Sequence, residues 1–144
     1  VKQVKASIEI GAPPERVWDV LLDFNSYSEW NPFMADASLR PFLGGSKLSI
    51  RFEPPGGTPV RLSPKITEVE EHERLRWIGR LGIPGVLTGD HVHEIEDLGE
   101  GRSRYTQTEK FTGLLSGFAG KTIARTQEGF EAMNLALKQR CERL

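Results

Sequence analysis

The sequence predicts an α+β fold in which a long C-terminal helix lies on one face of a seven-stranded antiparallel sheet. Three observations predict it. Residues 2–10 alternate apolar and polar with period two, and the same period returns in six further segments between about 34 and 112. The final stretch, from about 118 to 143, switches to helical spacing. Between the second strand and that helix nothing helical intervenes, so the strands pair as antiparallel neighbours rather than through helical crossovers.

Each element follows in order. Val4, Ala6, Ile8 and Ile10 face one way, while Lys5, Ser7 and Glu9 face the other, which is a half-buried strand. Gly11 ends it, and Pro13 and Pro14 suit a helix start, where a missing N–H costs nothing. Val17, Val20, Leu21 and Phe24 then recur at helical spacing, and Asn25–Phe33 reads as a turn or second short helix closed by Pro32. Residues 34–40 form a weak strand candidate. Leu48, Ile50 and Phe52 alternate next, and Gly56-Gly57 makes a turn. Val60, Leu62, Pro64 and Ile66 continue the period, and its slip between Ile66 and Val69 predicts a β-bulge. Leu75, Trp77, Gly79 and Leu81 form the next inward face. Strands at about 86–97 and 102–112 flank Leu98-Gly99-Glu100-Gly101, a hairpin signal. Ile123, Thr126, Phe130, Met133, Leu137, Cys141 and Leu144 step by three or four along a helix about 39 Å long, enough to cross the whole sheet.

At 144 residues the chain is one domain, large enough to bury about 68–70% of its unfolded surface. Composition is ordinary for a globular protein, with 38% hydrophobic and 27% charged residues. With 19 basic and 20 acidic residues and a net charge of −1, nucleic acid is excluded as an expected partner. The single cysteine, Cys141, cannot form an internal disulfide. Residues 1–14 lack the apolar region of a signal peptide, and no apolar run is long enough to span a membrane. The expected setting is cytoplasmic.

Four stretches carry a family resemblance: Ala12-Pro13-Pro14-Glu15-Arg16-Val17-Trp18-Asp19-Val20-Leu21; Tyr27-Ser28-Glu29-Trp30-Asn31-Pro32; Leu75-Arg76-Trp77; and Gly89-Asp90-His91 leading into Glu109-Lys110-Phe111-Thr112-Gly113. In this order and spacing the chain resembles the START/Bet v 1-like (SRPBCC) superfamily, in its polyketide cyclase/dehydrase-like branch. The resemblance implies a helix-grip fold, with a curved sheet wrapped around the C-terminal helix and a deep cavity between them. Members bind lipids, sterols, plant hormones or polyketides, and a minority catalyse cyclisation or dehydration. Hormone-receptor members gate their cavity with loops, one ending in a Gly-acid-His stretch like Gly89-Asp90-His91. The full gate motif is missing here, so that role does not carry over.

The hairpin at 86–112 holds the candidate chemistry. His91, His93 and Ile95 share one face of its first strand; Tyr105, Gln107, Glu109 and Phe111 share one face of its second. If Asp97 pairs with Ser103, His91 stands opposite Glu109 and His93 opposite Gln107. Val92, Glu94, Glu96, Thr106, Thr108 and Lys110 make the solvated face. Three readings stay open. His91 and Glu109 form a buried hydrogen-bonded pair in the cavity wall. The same pair performs acid–base chemistry on a bound substrate. Or His91, His93 and Glu109 form a facial metal triad.

The expected cavity wall is Leu48, Ile50, Trp77, His91, His93, Tyr105, Glu109, Phe111, Phe130 and Met133. Trp77 serves equally as core, and the stripe of Phe118, Phe130 and Met133 is core and lid at once. Trp18 and Trp30 are expected to pin the short helices to the sheet end. Pro54-Pro55-Gly56-Gly57 and Gly82-Ile83-Pro84-Gly85 are turns that would also flank the cavity mouth. No nucleophile elbow, Walker loop, dinucleotide fingerprint or cysteine pair occurs, so neither cofactor nor metal is expected. The expected partner is a small hydrophobic molecule, bound for transport or sensing. The alternatives are a cyclase or dehydratase using His91 and Glu109, or a protein-interaction module with a filled interior and an exposed apolar patch.

Overall fold

The computed structural model describes residues 2–42, 45–81, 87–113 and 120–143. The chain runs β1 (Lys2–Ile10), α1 (Pro14–Leu22), a 3-10 helix (Phe24–Glu29), β2 (Met34–Phe42) and β3 (Gly45–Phe52). It continues through β4 (Val60–Leu62), β5 (Lys65–Glu70), β6 (Arg74–Leu81), β7 (Leu87–Gly99) and β8 (Arg102–Thr112) to α2 (Gly120–Glu142). Strand order is β1-β8-β7-β6-β5-β3-β2, with antiparallel neighbours throughout, and β4 pairs with β3 off this path. The sheet curls into a half-barrel around α2, the helix-grip arrangement.

The alternation expected over 60–66 is not one strand. It breaks at Ser63-Pro64 into β4 and β5. Pro64 has no N–H to give to a ladder, and only its carbonyl joins the sheet, accepting from Leu48 N at 2.9 Å. The predicted bulge appears as a register shift between Ile66 and Glu68. At the β7–β8 turn, Gly99 and Gly101 take φ of 79° and 73°, a left-handed region that favours glycine, and Glu100 follows them there at 55°. The observed register pairs Asp97 with Ser103, His91 with Glu109 and His93 with Gln107, as the hairpin count predicts.

The core lies between the inner face of the sheet and α2. Val17 and Leu21 seal its end from α1, and the Tyr27 hydroxyl donates to the Leu21 carbonyl at 2.5 Å, tying the 3-10 helix to α1. Trp18 is buried edge-on to His72 in the turn before β6, which ties α1 to the sheet end, while Trp30 lies edge-on to Tyr27 of the 3-10 helix that it follows. Asn31 Oδ1 accepts from the N–H groups of Phe33 and Met34 and sets the entry into β2. On the solvent face, Arg76 grips Asp90 with two hydrogen bonds of 2.8 and 2.6 Å across β6 and β7. Phe118, Leu144 and Gly82-Ile83-Pro84-Gly85 lie outside the described residues. Among the described residues no helix is long and apolar enough to cross a membrane.

Gly129 sets how closely α2 approaches the sheet end. A Cβ there would stand 2.4 Å from the ring of Phe33, itself packed on Phe52 and Phe130. Gly129→Ala is therefore expected to lower unfolding free energy by about 1–3 kcal/mol through overpacking, against the roughly 1 kcal/mol that alanine gains in helix propensity. Urea denaturation decides it: a stabilised variant would mean that the helix and Phe33 are not held this close.

Candidate ligand cavity

The inner face of the sheet is built in cross-strand rows. Ile95, Tyr105 and Ile8 form one row, and Leu75, His93, Gln107 and Ala6 form the next. Trp77, His91, Glu109 and Val4 follow, then Gly79, Gly89 and Phe111. The first three rows fill the interior. His91 and His93 stack with ring centroids 4.2 Å apart and planes at 17°, and Trp77 closes on both at 4.9 and 4.5 Å. Phe130 of α2 covers His91 at 4.8 Å. In the last row two facing glycines remove the side chains that would continue this packing.

That is where the interior opens. A cavity of about 340 Å³ lies over Gly79 and Gly89, with Trp77, Leu87 and Phe111 on the sheet side. Phe33 and Phe52 wall one flank, and Pro54, Thr58, Val60 and Leu62 close another. Thr122, Arg125 and Thr126 of α2 form the roof. Its size is at the low end of small-molecule sites, about 300–1,000 Å³. A depression of about 390 Å³ elsewhere is lined mainly by charged groups, among them Glu70, Glu73, Arg74, Glu94 and Arg104, with Ile95 as the apolar residue on its wall.

Of the side chains expected on the wall, Trp77, Glu109 and Phe111 line the cavity. Leu48, Ile50, His91, His93, Tyr105, Phe130 and Met133 are instead packed into the filled half, each 0–1% exposed. The Pro54–Gly57 loop does flank the cavity, through Pro54. Among the lining residues not foreseen are Gly79, Gly89 and Arg125. All three left a signal: Gly79 falls on the inward phase of β6, the hairpin register places Gly89 opposite Phe111, and Thr122, Arg125, Thr126 and Gly129 share the helical spacing i, i+3, i+4, i+7.

The polar groups of the filled half are committed to one another. The expected His91–Glu109 hydrogen bond does not form. His91 Nε2–H donates to Gln107 Oε1 at 2.9 Å, and Gln107 Nε2 donates to Asn134 Oδ1 at 2.8 Å. His93 Nδ1 pairs with the Tyr105 hydroxyl at 2.5 Å. His93 Nε2 and Asn134 Nδ2 are buried without a partner among the described residues. Burial pulls His91 down to about 4, against the opposing effects of Gln107 and Asp90. Burial, then the neighbouring His91, drives His93 well below the ordinary histidine range. Both imidazoles are neutral near pH 7. With these nitrogens turned to Gln107 and Tyr105, the facial triad does not assemble, and among the described residues no three His, Cys, Asp or Glu side chains are placed to hold a metal ion.

Glu109 differs. Its carboxyl leans along the strand over Gly89, where a Cβ would stand 2.2 Å from Oε2. No described residue hydrogen-bonds it or pairs with it. Burial, then repulsion from Asp90, raises its pKa to about 8. A carboxyl protonated near neutral pH therefore faces the cavity and can donate or accept a proton there.

The model of the family described as "Polyketide cyclase / dehydrase and lipid transport" matches residues 2–142. The chain belongs to this family. Among solved structures it is similar to the Zhui aromatase/cyclase from Streptomyces sp. R1128, at 15% identity and TM-score 0.81, covering 99% of this chain and 94% of that one. It is also similar to a START superfamily protein from Mycobacterium smegmatis, at 19% identity and TM-score 0.77, covering 98% and 97%. A protein from Thermus thermophilus matches at 20% identity and TM-score 0.77, covering 97% of each chain. These likenesses show the shared fold. No curated protein sequence matches significantly. In this polyketide cyclase/dehydrase family member, the half-filled interior is thus set within a helix-grip frame.

Glu109 gives the cavity a pH signature. Its pKa is raised on folding, so its contribution to stability is complete below about pH 4.5 and is lost as pH rises through about 8. The difference in unfolding free energy between wild type and Glu109→Gln should fall by about 1–3 kcal/mol between roughly pH 5 and 8.5, discounted for the side chain's partial exposure. Urea unfolding of both proteins at the two pH values measures it. A constant difference would mean that the carboxyl ionises normally.

Proposed function

We propose that the protein binds a small, largely apolar molecule in the cavity over Gly79 and Gly89, for transport or sensing in the cytoplasm. The observation that carries this reading is the abrupt change from a filled interior to an open one at the Gly79–Gly89 row. Packed interiors seldom keep voids larger than a water molecule. Here the space is walled by apolar and aromatic side chains with few polar groups, the composition that gives affinity by apolar burial and orientation by a few hydrogen bonds. The family description, which includes lipid transport, points the same way.

One observation favours a second reading, cyclase or dehydratase chemistry. A carboxyl with a pKa of about 8 facing a ligand cavity is suited to proton transfer near neutral pH, and one similar structure is an aromatase/cyclase. The acid–base role would then belong to Glu109. His91, 1% exposed and bonded to Gln107, would not reach a substrate and would only support the wall.

Gly79→Val separates cavity from fold. A Cβ at Gly79 meets only Pro64 Cβ, at 3.7 Å, so the added methyls would enter the cavity. Titration with the fluorescent probe 1-anilinonaphthalene-8-sulfonate should show at least about tenfold weaker binding, with unfolding free energy changed by less than about 1.5 kcal/mol. Unchanged probe binding would sink this site. Glu109→Gln divides the two readings: a carrier keeps most of its affinity, whereas an enzyme retains binding and loses turnover.

A further inference from the structure

Arg125 is the one cationic side chain that the described residues place on the cavity wall. It projects from α2 between Thr122 and Thr126, one turn ahead of Gly129. The loop after β3 lies directly on it: a Cβ at Gly57 would stand 3.2 Å from Arg125 Cδ and 3.4 Å from its Nη1. Gly57 thus lets the loop close over the side chain and hold the guanidinium at the cavity rim.

The guanidinium has no ion-pair or hydrogen-bond partner among the described residues. Arg51, Arg61, Arg74, Arg76, Arg102 and Arg104, on the strands, all pair with carboxylates. Glu109 lines the same cavity and does not pair with Arg125. An apolar cavity wall carrying a half-buried guanidinium and a carboxyl, neither paired among the described residues, is incomplete in charge. A bound anion completes it.

We propose that the ligand of this cavity is a small amphipathic monocarboxylic acid, whose carboxylate pairs with Arg125 while Glu109 hydrogen-bonds a second oxygen of the same molecule. This rests on the binding reading above and adds the ligand's chemical class. The planar guanidinium matches a carboxylate with two parallel hydrogen bonds, which a neutral alcohol cannot reproduce. The protonation of Glu109 near neutral pH leaves the site with one positive charge, so one negative charge balances it. The volume of about 340 Å³ limits the apolar part to a medium-length chain or one or two aromatic rings.

The experiment compares 2-naphthoate with its neutral counterpart 2-naphthalenemethanol, by calorimetric titration of wild type, Arg125→Gln and Arg125→Lys. Wild type should bind the acid at least about tenfold tighter than the alcohol, the step worth about 1.4 kcal/mol. Arg125→Gln should weaken the acid by a similar factor, leave the alcohol within about twofold, and so erase the preference; Arg125→Lys should restore part of it. Equal binding of acid and alcohol to wild type, or a preference that survives in Arg125→Gln, would overturn the anion inference while leaving the cavity reading intact. Binding of neither compound to wild type would overturn both.

Discussion

The structure depends on the burial of two neutral imidazoles between the sheet and its covering helix. His91 and His93 stack on each other, with Trp77 against both rings and Phe130 over His91. Each imidazole is taken wholly out of water, which is tolerable only in the uncharged form and only with its polar atoms largely paired. Gln107 and Tyr105 supply that pairing from β8, and Asn134 extends it into α2. Sheet and helix are thereby joined by a directed hydrogen-bond chain as well as by apolar contact. His93 Nε2 and Asn134 Nδ2, without a partner among the described residues, set against this a cost of about 1–3 kcal/mol each. The surrounding aromatic packing must exceed it.

That plug determines where a ligand can go. A helix lying across a curved sheet leaves space that large side chains must fill. Three rows of this sheet supply them, and the Gly79–Gly89 row does not. The resulting void touches Trp77 on one side and Glu109 on the other, so the plug is also the cavity's end wall. Gly89 has a second effect: its missing side chain gives the Glu109 carboxyl a slot over the backbone. Held there, away from any hydrogen-bond donor among the described residues and near Asp90, the carboxyl favours its protonated form. Cavity volume and acid strength therefore share a cause in one pair of glycines.

Period-two alternation and a turn count were enough to read the α+β class and to place the hairpin register once Asp97 was paired with Ser103, because one buried face punishes any slip by a residue. The grip of the sheet around the helix came from the family resemblance. Side-chain direction was not legible in the same way. Opposition across the ladder names His91 and Glu109 as neighbours, but side chains lean along the strand, and diagonal partners are within reach of long ones. His91 took the diagonal partner Gln107, and Glu109 leaned the other way, over Gly89. The expected wall was met only at Trp77, Glu109 and Phe111 for a related reason. Periodicity distinguishes in from out; it does not distinguish packed from empty. The mark of emptiness was a pair of facing glycines, which requires register and residue size to be read together. Pro64 escaped likewise, since apolar spacing does not register a missing N–H.

Phe33 joins the two halves of the interior. Its ring lies on Gly129, packs edge-on to Phe52 and Phe130, and forms part of the cavity flank. Phe130 in turn covers His91. The plug and the cavity are thus coupled through a continuous series of aromatic contacts at interior packing density, where a displacement of a few tenths of an ångström is felt by the next ring. Substitutions in the Gly79 row can alter what the cavity admits without touching that series. Substitutions at Gly129 or Phe33 act on stability and on cavity shape together. The separation follows from geometry: Gly79 sends no side chain into the packing and has only Pro64 near its Cβ position, so a larger residue there leaves the plug to keep the fold.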